Sequence, residues 1–180
     1  KIKGQKSGKK ILIMAPGNYG LEFLKEAYGI EEDEVVKCSN FIGQSIDMAK
    51  ELQCDALLLA GHIGKLVKVA GGIMNTHSKE ADCRMELLAA FCIREQVERE
   101  RIYKILDCVT TEEAVRILKE SGKLKPVMEY VVKRICYYLE KRAGGQLGID
   151  CILYANEFGE LAKSKEAAKW FTLLEQEQER

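Results

Sequence analysis

The sequence has no apolar run approaching the roughly 18 residues of a membrane span, and no secretory leader pattern. A bilayer-crossing helix is therefore not expected, and no membrane partner is assigned. Charge of one sign is lacking too: 28 basic residues balance 28 acidic ones, for a formal net charge of zero. Nothing in that balance builds the basic face that nucleic acid demands, so no nucleic-acid partner is expected. Paired C-x-x-C spacing is absent. The seven cysteines, at 38, 54, 83, 92, 108, 136 and 151, are odd in number, and several fall on apolar faces. Buried free thiols in a reducing cytoplasm account for them better than disulfides or a zinc site, which makes the cytoplasm the expected location. Internal repeats and low-complexity linkers are missing as well.

What is present is an ordinary globular composition, 47% hydrophobic and 31% charged, which speaks against disorder. A chain of 180 residues can bury roughly 70% of its unfolded surface around one core. Lys1 to Lys10 reads as a basic, glycine-containing lead-in from a preceding domain, and residues 11–180 as a single domain. Within it, Ile11 to Ala15 is a buried strand stopped by Pro16-Gly17-Asn18-Tyr19-Gly20. A helix from Leu21 to Tyr28 is closed by Gly29, and Glu34 to Cys38 is a second strand. Ser39-Asn40 supplies N-cap chemistry for a helix from about Phe41 to Leu52, and Ala56 to Ala60 is a third strand. This rhythm predicts a Rossmann-like, doubly wound α/β fold, with a mainly parallel sheet and helices on both faces.

Further along, a long helix is expected from Lys79 to about Glu98, with the charged run Arg94 to Arg101 as a solvated face or helix end. Thr110 and Glu113 form a capping box for a helix to Glu120, ended by Ser121-Gly122. Pro126 is placed at the first position of a helix running to Arg142 and stopped by Gly144-Gly145. Asp150 to Tyr154 is a fourth strand, and Ser164 caps a last helix carrying Trp170.

The chain is organised around Ala56 to Arg84. A buried run breaks at Gly61-His62-Ile63-Gly64, a short helical piece carries Lys65 and Lys68, and Asn75-Thr76-His77-Ser78 precedes the next helix. Both histidines lie here. In a parallel sheet the turns after the first three strands converge on one rim, where exposed helix N-termini favour anions. Lys65 and Lys68, at i and i+3, add positive charge on one side of their turn. A dinucleotide site fails twice: Tyr19 stands where G-x-G-x-x-G needs its second glycine, and Lys37-Cys38-Ser39-Asn40 offers no carboxylate for a ribose. His62 is either an acid/base or ligand-orienting donor, or a histidine bonded to a neighbouring loop. His77 belongs either to the site or to a helix-capping cluster with its polar neighbours. Cys38, His62, His77 and Asp82 follow no standard metal-ligand spacing, so no metal is assigned.

Taken in order, Pro16-Gly17-Asn18-Tyr19-Gly20, Lys37 to Gly43, Gly61 to Lys68 and Asn75-Thr76-His77-Ser78 with Ala81-Asp82 closely resemble the CbiD family. These are the cobalt-precorrin-5B C(1)-methyltransferases of anaerobic cobalamin biosynthesis. The resemblance runs from about Ile11 to Asn156 and covers the C-terminal half of the family's chain. It implies S-adenosylmethionine as cofactor and a cobalt-containing tetrapyrrole as substrate, methylated at C-1 to cobalt-precorrin-6A. It also implies, as a partner, the family's N-terminal domain. Gly17, Asn18, Tyr19, Gly20, Ser39, Asn40, Gly61, Gly64, Lys65, Lys68, Asn75, Thr76, His77 and Asp82 are the implied binding residues, with His62 as the catalytic candidate. The competing expectation is a non-catalytic α/β module that binds a small anionic ligand or a partner.

Overall fold

Side chains of the central strands alternate between two cores, and that alternation decides the layering. In a computed structural model, which describes residues 10–167, β1 (Ile11–Ala15) is buried throughout. A strand covered on both faces must be apolar at consecutive positions. Successive side chains point to opposite faces: Leu12 and Met14 enter one core, Ile13 and Ala15 the other. β3 (Ala56–His62) repeats the division, with Leu57 and Leu59 on the first face and Leu58 and Ala60 on the second.

Between these strands the chain forms α1 (Asn18–Tyr28), β2 (Val35–Lys37) and α2 (Ile42–Glu51). α3 (Ile63–Ala70), α4 (Arg84–Arg94), α5 (Arg99–Leu106), α6 (Thr111–Glu120) and α7 (Leu124–Ala143) follow β3. β4 (Gly148–Ala155) and β5 (Gly159–Lys163) complete the described elements. The sheet order is β2-β1-β3-β4-β5. β1 pairs in parallel with β2 and with β3, and β3 in parallel with β4. Among the described strands only β5 is antiparallel. Leu21 and Leu24 of α1 pack on one face, while residues of α2 through α7 fill the larger core on the other. The expected α/β fold with helices on both faces is what forms. Because β1 is flanked by β2 on one side and β3 on the other, the connections diverge there. Ligands of such sheets bind at that divergence, beyond the carboxyl ends of the strands.

Local chemistry sets several boundaries as expected. Gly29 ends α1 at φ 65 and Gly144 ends α7 at φ 66, left-handed conformations that cost glycine little. The Thr110 hydroxyl accepts the Glu113 N–H, and the Glu113 carboxylate accepts the Thr110 N–H, which caps α6 on both sides. Thr110→Ala is expected to destabilise the fold by about 1 kcal/mol in urea melts, with Thr110→Ser retaining most of the stability.

Other boundaries move, each for a physical reason. α1 begins at Asn18, so Asn18, Tyr19 and Gly20 form its first turn rather than a loop. Pro16 and Gly17 alone make the turn, with Gly17 at φ 120. Ser39-Asn40 does not cap α2: its N-cap is Phe41, without a side-chain bond, and Ser39 sits at φ 51 in a tight turn. β3 continues through His62 and passes directly into α3. α4 starts at Arg84 and not at Lys79, because the preceding carbonyls of Thr76 and Ala81 are drawn to Lys68. α5 emerges from the end of the charged run, its buried face reduced to Ile105. Pro126 occupies the third position of α7, which begins at Leu124, where a missing N–H still costs no intrahelical bond. β5 is an additional edge strand with Ala162 its one buried residue. The expected helix carrying Trp170 lies outside the described residues, as does nearly all of the lead-in. The Ser164 hydroxyl accepts the Cys151 N–H and donates to Asp150.

Candidate functional site

Lys65 leaves the first turn of α3 and reaches back across the divergence point. A β-carbon placed on Gly17 would lie 4.0 Å from its Nζ, so its ammonium sits over the turn that follows β1. Lys65 is half-buried and makes no hydrogen bond or ion pair among the described residues. Burial pushes its ammonium below the ordinary lysine range, and the nearby Cys38 thiol opposes the shift. Cys38, at the end of β2, is itself raised to about 11 by burial. A partly desolvated cation without a counter-charge is a group that an anion stabilises.

Lys68, one turn further along α3, does something else. It is 3% exposed, and its Nζ donates to the carbonyls of Thr76 at 2.5 Å and Ala81 at 3.3 Å. Those two bonds hold residues 76–81 out of helical geometry and fold them over α3. The same segment is tied to the start of α2. Phe41 bridges Asn75, the Thr76 N–H donates to the Asn40 carbonyl at 2.9 Å, and the Thr76 hydroxyl bonds Asn40 Oδ1 at 3.2 Å. The result is a cleft of about 370 Å³ lined by Asn40, Gly64, Lys65, Lys68, Thr76, His77, Ser78, Asp82 and Arg84. Three cations face one carboxylate there, and that carboxylate is already engaged. Arg84 donates to Asp82 through Nε at 2.7 Å and Nη2 at 3.1 Å, holding the Asp82 carboxyl below its usual range.

The remaining sequence-predicted residues are distributed around this cleft. Asn75 borders it and accepts the His77 N–H on its side chain. The His77 Nδ1 accepts the Lys79 N–H at 3.1 Å, so His77 caps a turn and also lines the cleft. Asn18, Tyr19 and Ser39 are exposed on the surrounding rim. Gly20 and Gly61 serve packing. A β-carbon on Gly20 would meet Ala15 Cβ at 2.7 Å, and one on Gly61 would meet Leu66 Cγ at 2.7 Å.

His62 is not among the residues lining the cleft. It is the N-cap of α3: its Nδ1 accepts the Gly64 N–H at 3.0 Å. That contact places the proton of the neutral ring on Nε2, which stands 2.9 Å from Glu112 Oε1. Glu112 Oε1 also accepts the Asn156 N–H at 2.8 Å, while its buried Oε2 has no partner among the described residues. Tyr154 packs edge-on against the His62 ring. Both ring nitrogens are thus engaged in holding the start of α3, the helix that presents Lys65. Sequence reasoning missed Glu112 and Arg84. Arg84 had a signal in its spacing from Asp82, whereas Glu112 had none beside the capping residue Glu113.

A larger hollow of about 670 Å³ lies at the antiparallel edge, between α6, the start of α7 and β5. Its lining includes no residue from the turns that follow β1, β2 and β3. Among the described residues no three His, Cys, Asp or Glu side chains converge as a metal site, and no helix is long and apolar enough to cross a membrane.

With that geometry in place, comparison with known proteins is decisive. The family model described as "CbiD, C-terminal domain" matches residues 75–165. The chain belongs to the CbiD family. Similar curated proteins include the cobalt-precorrin-5B C(1)-methyltransferase of Methanocaldococcus jannaschii, 44% identical over 147 residues, or 82% of this chain and 40% of the relative. The protein of that name in Alkaliphilus metalliredigens is 36% identical over 168 residues, covering 93% of this chain and 44% of the relative. That in Thermoanaerobacter is 38% identical over 165 residues, covering 91% and 44%. The chain therefore spans less than half the length of these relatives. No solved structure matches it. In this CbiD chain the matched span opens at Asn75, on the segment that Lys68 folds over the cleft, whereas Lys65 and Lys68 precede it.

Proposed function

We propose that the chain is the C-terminal part of a cobalt-precorrin-5B C(1)-methyltransferase and supplies the wall that grips the tetrapyrrole's carboxylate arms. The protein as a whole would transfer a methyl group to C-1 of cobalt-precorrin-5B, giving cobalt-precorrin-6A, in cobalamin biosynthesis. The observation that supports this most is the Lys65 ammonium, half-buried and unpaired, at the divergence point of the sheet. Acetate and propionate arms are the natural counter-charges for such a group. Asn40, Gly64, Lys65, Thr76, His77 and Asp82 act in this reading at the cleft, with Gly17, Asn18, Tyr19, Gly20, Ser39, Gly61 and Asn75 shaping its rim. Lys68 and His62 are positioning residues, the first for the 76–81 segment and the second for α3.

The methyl donor fits these residues poorly. A sulfonium is repelled by three cations against one engaged carboxylate, and the end of β2 offers no carboxylate to ribose hydroxyls. We assign S-adenosylmethionine, which supplies the electrophilic methyl, to the rest of the protein. The chain's own part is then to hold the substrate carbon in line, since methyl transfer depends on alignment more than on a strong base.

Lys65→Met in the full-length protein tests the reading. Loss of one charge-assisted contact should raise KM for the tetrapyrrole about tenfold while leaving the thermal melt unchanged. Wild-type kinetics in this variant would remove the support for a substrate cleft and favour a module that binds a partner without chemistry.

A further inference from the structure

Two aromatic rings stand exposed where the proposed substrate would lie. Tyr19 is 66% exposed in the first turn of α1, and Phe41 is 49% exposed at the entry to α2. Their placement is coordinated by the sheet. Ala15 and Lys37 are register partners on β1 and β2, and each ring follows its strand by four residues. Both therefore follow the carboxyl ends of adjacent strands, Tyr19 where α1 turns to one face of the sheet and Phe41 where α2 turns to the other, so that they flank the divergence point. The Lys65 ammonium belongs to the same place: it stands over Gly17, two residues before Tyr19, and interacts with Cys38, three residues before Phe41.

Phe41 is not exposed because its segment is loose. Its N–H donates to the Cys38 carbonyl at 2.9 Å, its carbonyl accepts from the Ser45 N–H at 3.0 Å and the Ser45 hydroxyl at 2.9 Å, and its backbone bridges Asn75. A fixed backbone thus presents an apolar ring to solvent. A ligand that covers the ring would remove this apolar surface from water without having to order the backbone first.

We propose that Tyr19 and Phe41, one on each side of the divergence point, pack against the ring of a polycarboxylate macrocycle whose carboxylate arms reach Lys65 in the cleft. The inference rests on the tetrapyrrole reading above and adds to it which residues select for a flat ring rather than for any polyanion. Aromatic faces recognise extended π-systems by offset stacking, and an adjacent lysine recognises the arms, so each supplies what the other lacks.

The test uses the full-length protein and uroporphyrin, a planar macrocycle bearing carboxylate arms, followed by the shift of its visible absorption at several salt concentrations. The combined Tyr19→Ala and Phe41→Ala variant is expected to bind about tenfold more weakly at every salt concentration, with an unchanged salt dependence. Exchanging the two rings, by Tyr19→Phe with Phe41→Tyr, should restore affinity. Lys65→Met should instead flatten the salt dependence. Wild-type affinity in the double alanine variant overturns the inference, and is the outcome if the rest of the protein covers these rings. A loss that vanishes at high salt overturns it as well, since it would mean the rings only shape the charged cleft. Unfolding of the double variant in a thermal melt would show that the rings are packing groups and has the same consequence. Failure of the unsubstituted protein to bind uroporphyrin overturns the tetrapyrrole reading itself, which separates the two failures.

Discussion

Residues 1–180 alone are expected to fold and yet to show no measurable turnover of cobalt-precorrin-5B. Folding is expected because both faces of β1 and β3 are already covered by elements of this chain, and the larger core is continuous from α2 through β4. Turnover is another matter. The cleft holds about 370 Å³, at the low end of the roughly 300–1,000 Å³ that encloses a drug-sized ligand. A tetrapyrrole exceeds that, so the cleft takes arms and leaves the macrocycle without an opposing wall. In the proposed reading the donor is held by the rest of the protein as well. Holding two reactants in alignment accounts for roughly 7–11 kcal/mol of a favourable case, and one wall alone supplies little of it. Circular dichroism and a cooperative melt check the first half of the expectation, and product analysis by mass spectrometry the second. Adding the remainder of the protein as a separate polypeptide should restore activity. Turnover by the isolated chain at a rate near that of the full-length protein would place both substrates here and sink the divided-site reading.

The parts of the fold that were legible are those whose cause is local. Ile11 to Ala15 and Ala56 to Ala60 are apolar at every position, which only a doubly covered strand requires, and their parallel pairing follows from that. Thr110 with Glu113 announces its helix because the two side chains satisfy backbone groups three residues away. What was hidden depends on partners distant in sequence. Nothing between Lys79 and Cys83 says that the helix waits until Arg84, because the delay is imposed by Lys68 drawing in the carbonyls of Thr76 and Ala81. β5 escaped notice because a solvent-facing edge strand with one buried residue shows no clear alternation.

The site followed the same rule. Helical spacing put Lys65 and Lys68 on one side of α3, but spacing carries no depth, so two lysines that look alike end with opposite roles. One is unpaired in the cleft and the other is spent on backbone carbonyls. His62 was visible as a histidine at a strand end, while its engagement by Glu112 requires α6 to dock 50 residues later.

Lys68→Met is expected to lower stability by about 2 kcal/mol and to loosen residues 76–82, whereas Lys65→Met leaves both unchanged. Two effects oppose each other at Lys68. Removing a buried ammonium relieves desolvation, which is the largest cause holding its pKa below 10.5. Removing it also orphans the carbonyl of Thr76, itself buried, and frees that of Ala81. Leaving a buried acceptor unpaired costs about 1–3 kcal/mol, and the segment it anchored has few apolar contacts of its own, so the loss prevails. The pH dependence carries the sign of the charge penalty. A lysine with a depressed folded pKa burdens the folded state at neutral pH, and the burden lifts as pH rises through that pKa towards the unfolded value of 10.5. The stability advantage of the unsubstituted protein over Lys68→Met should therefore grow between neutral pH and 10.5. Urea melts across that range measure it, with amide exchange at residues 76–82 reporting the local loosening. An advantage that shrinks with rising pH, or exchange rates equal in the two proteins, would mean that Lys68 is a bound charge and not the anchor of the segment over the cleft.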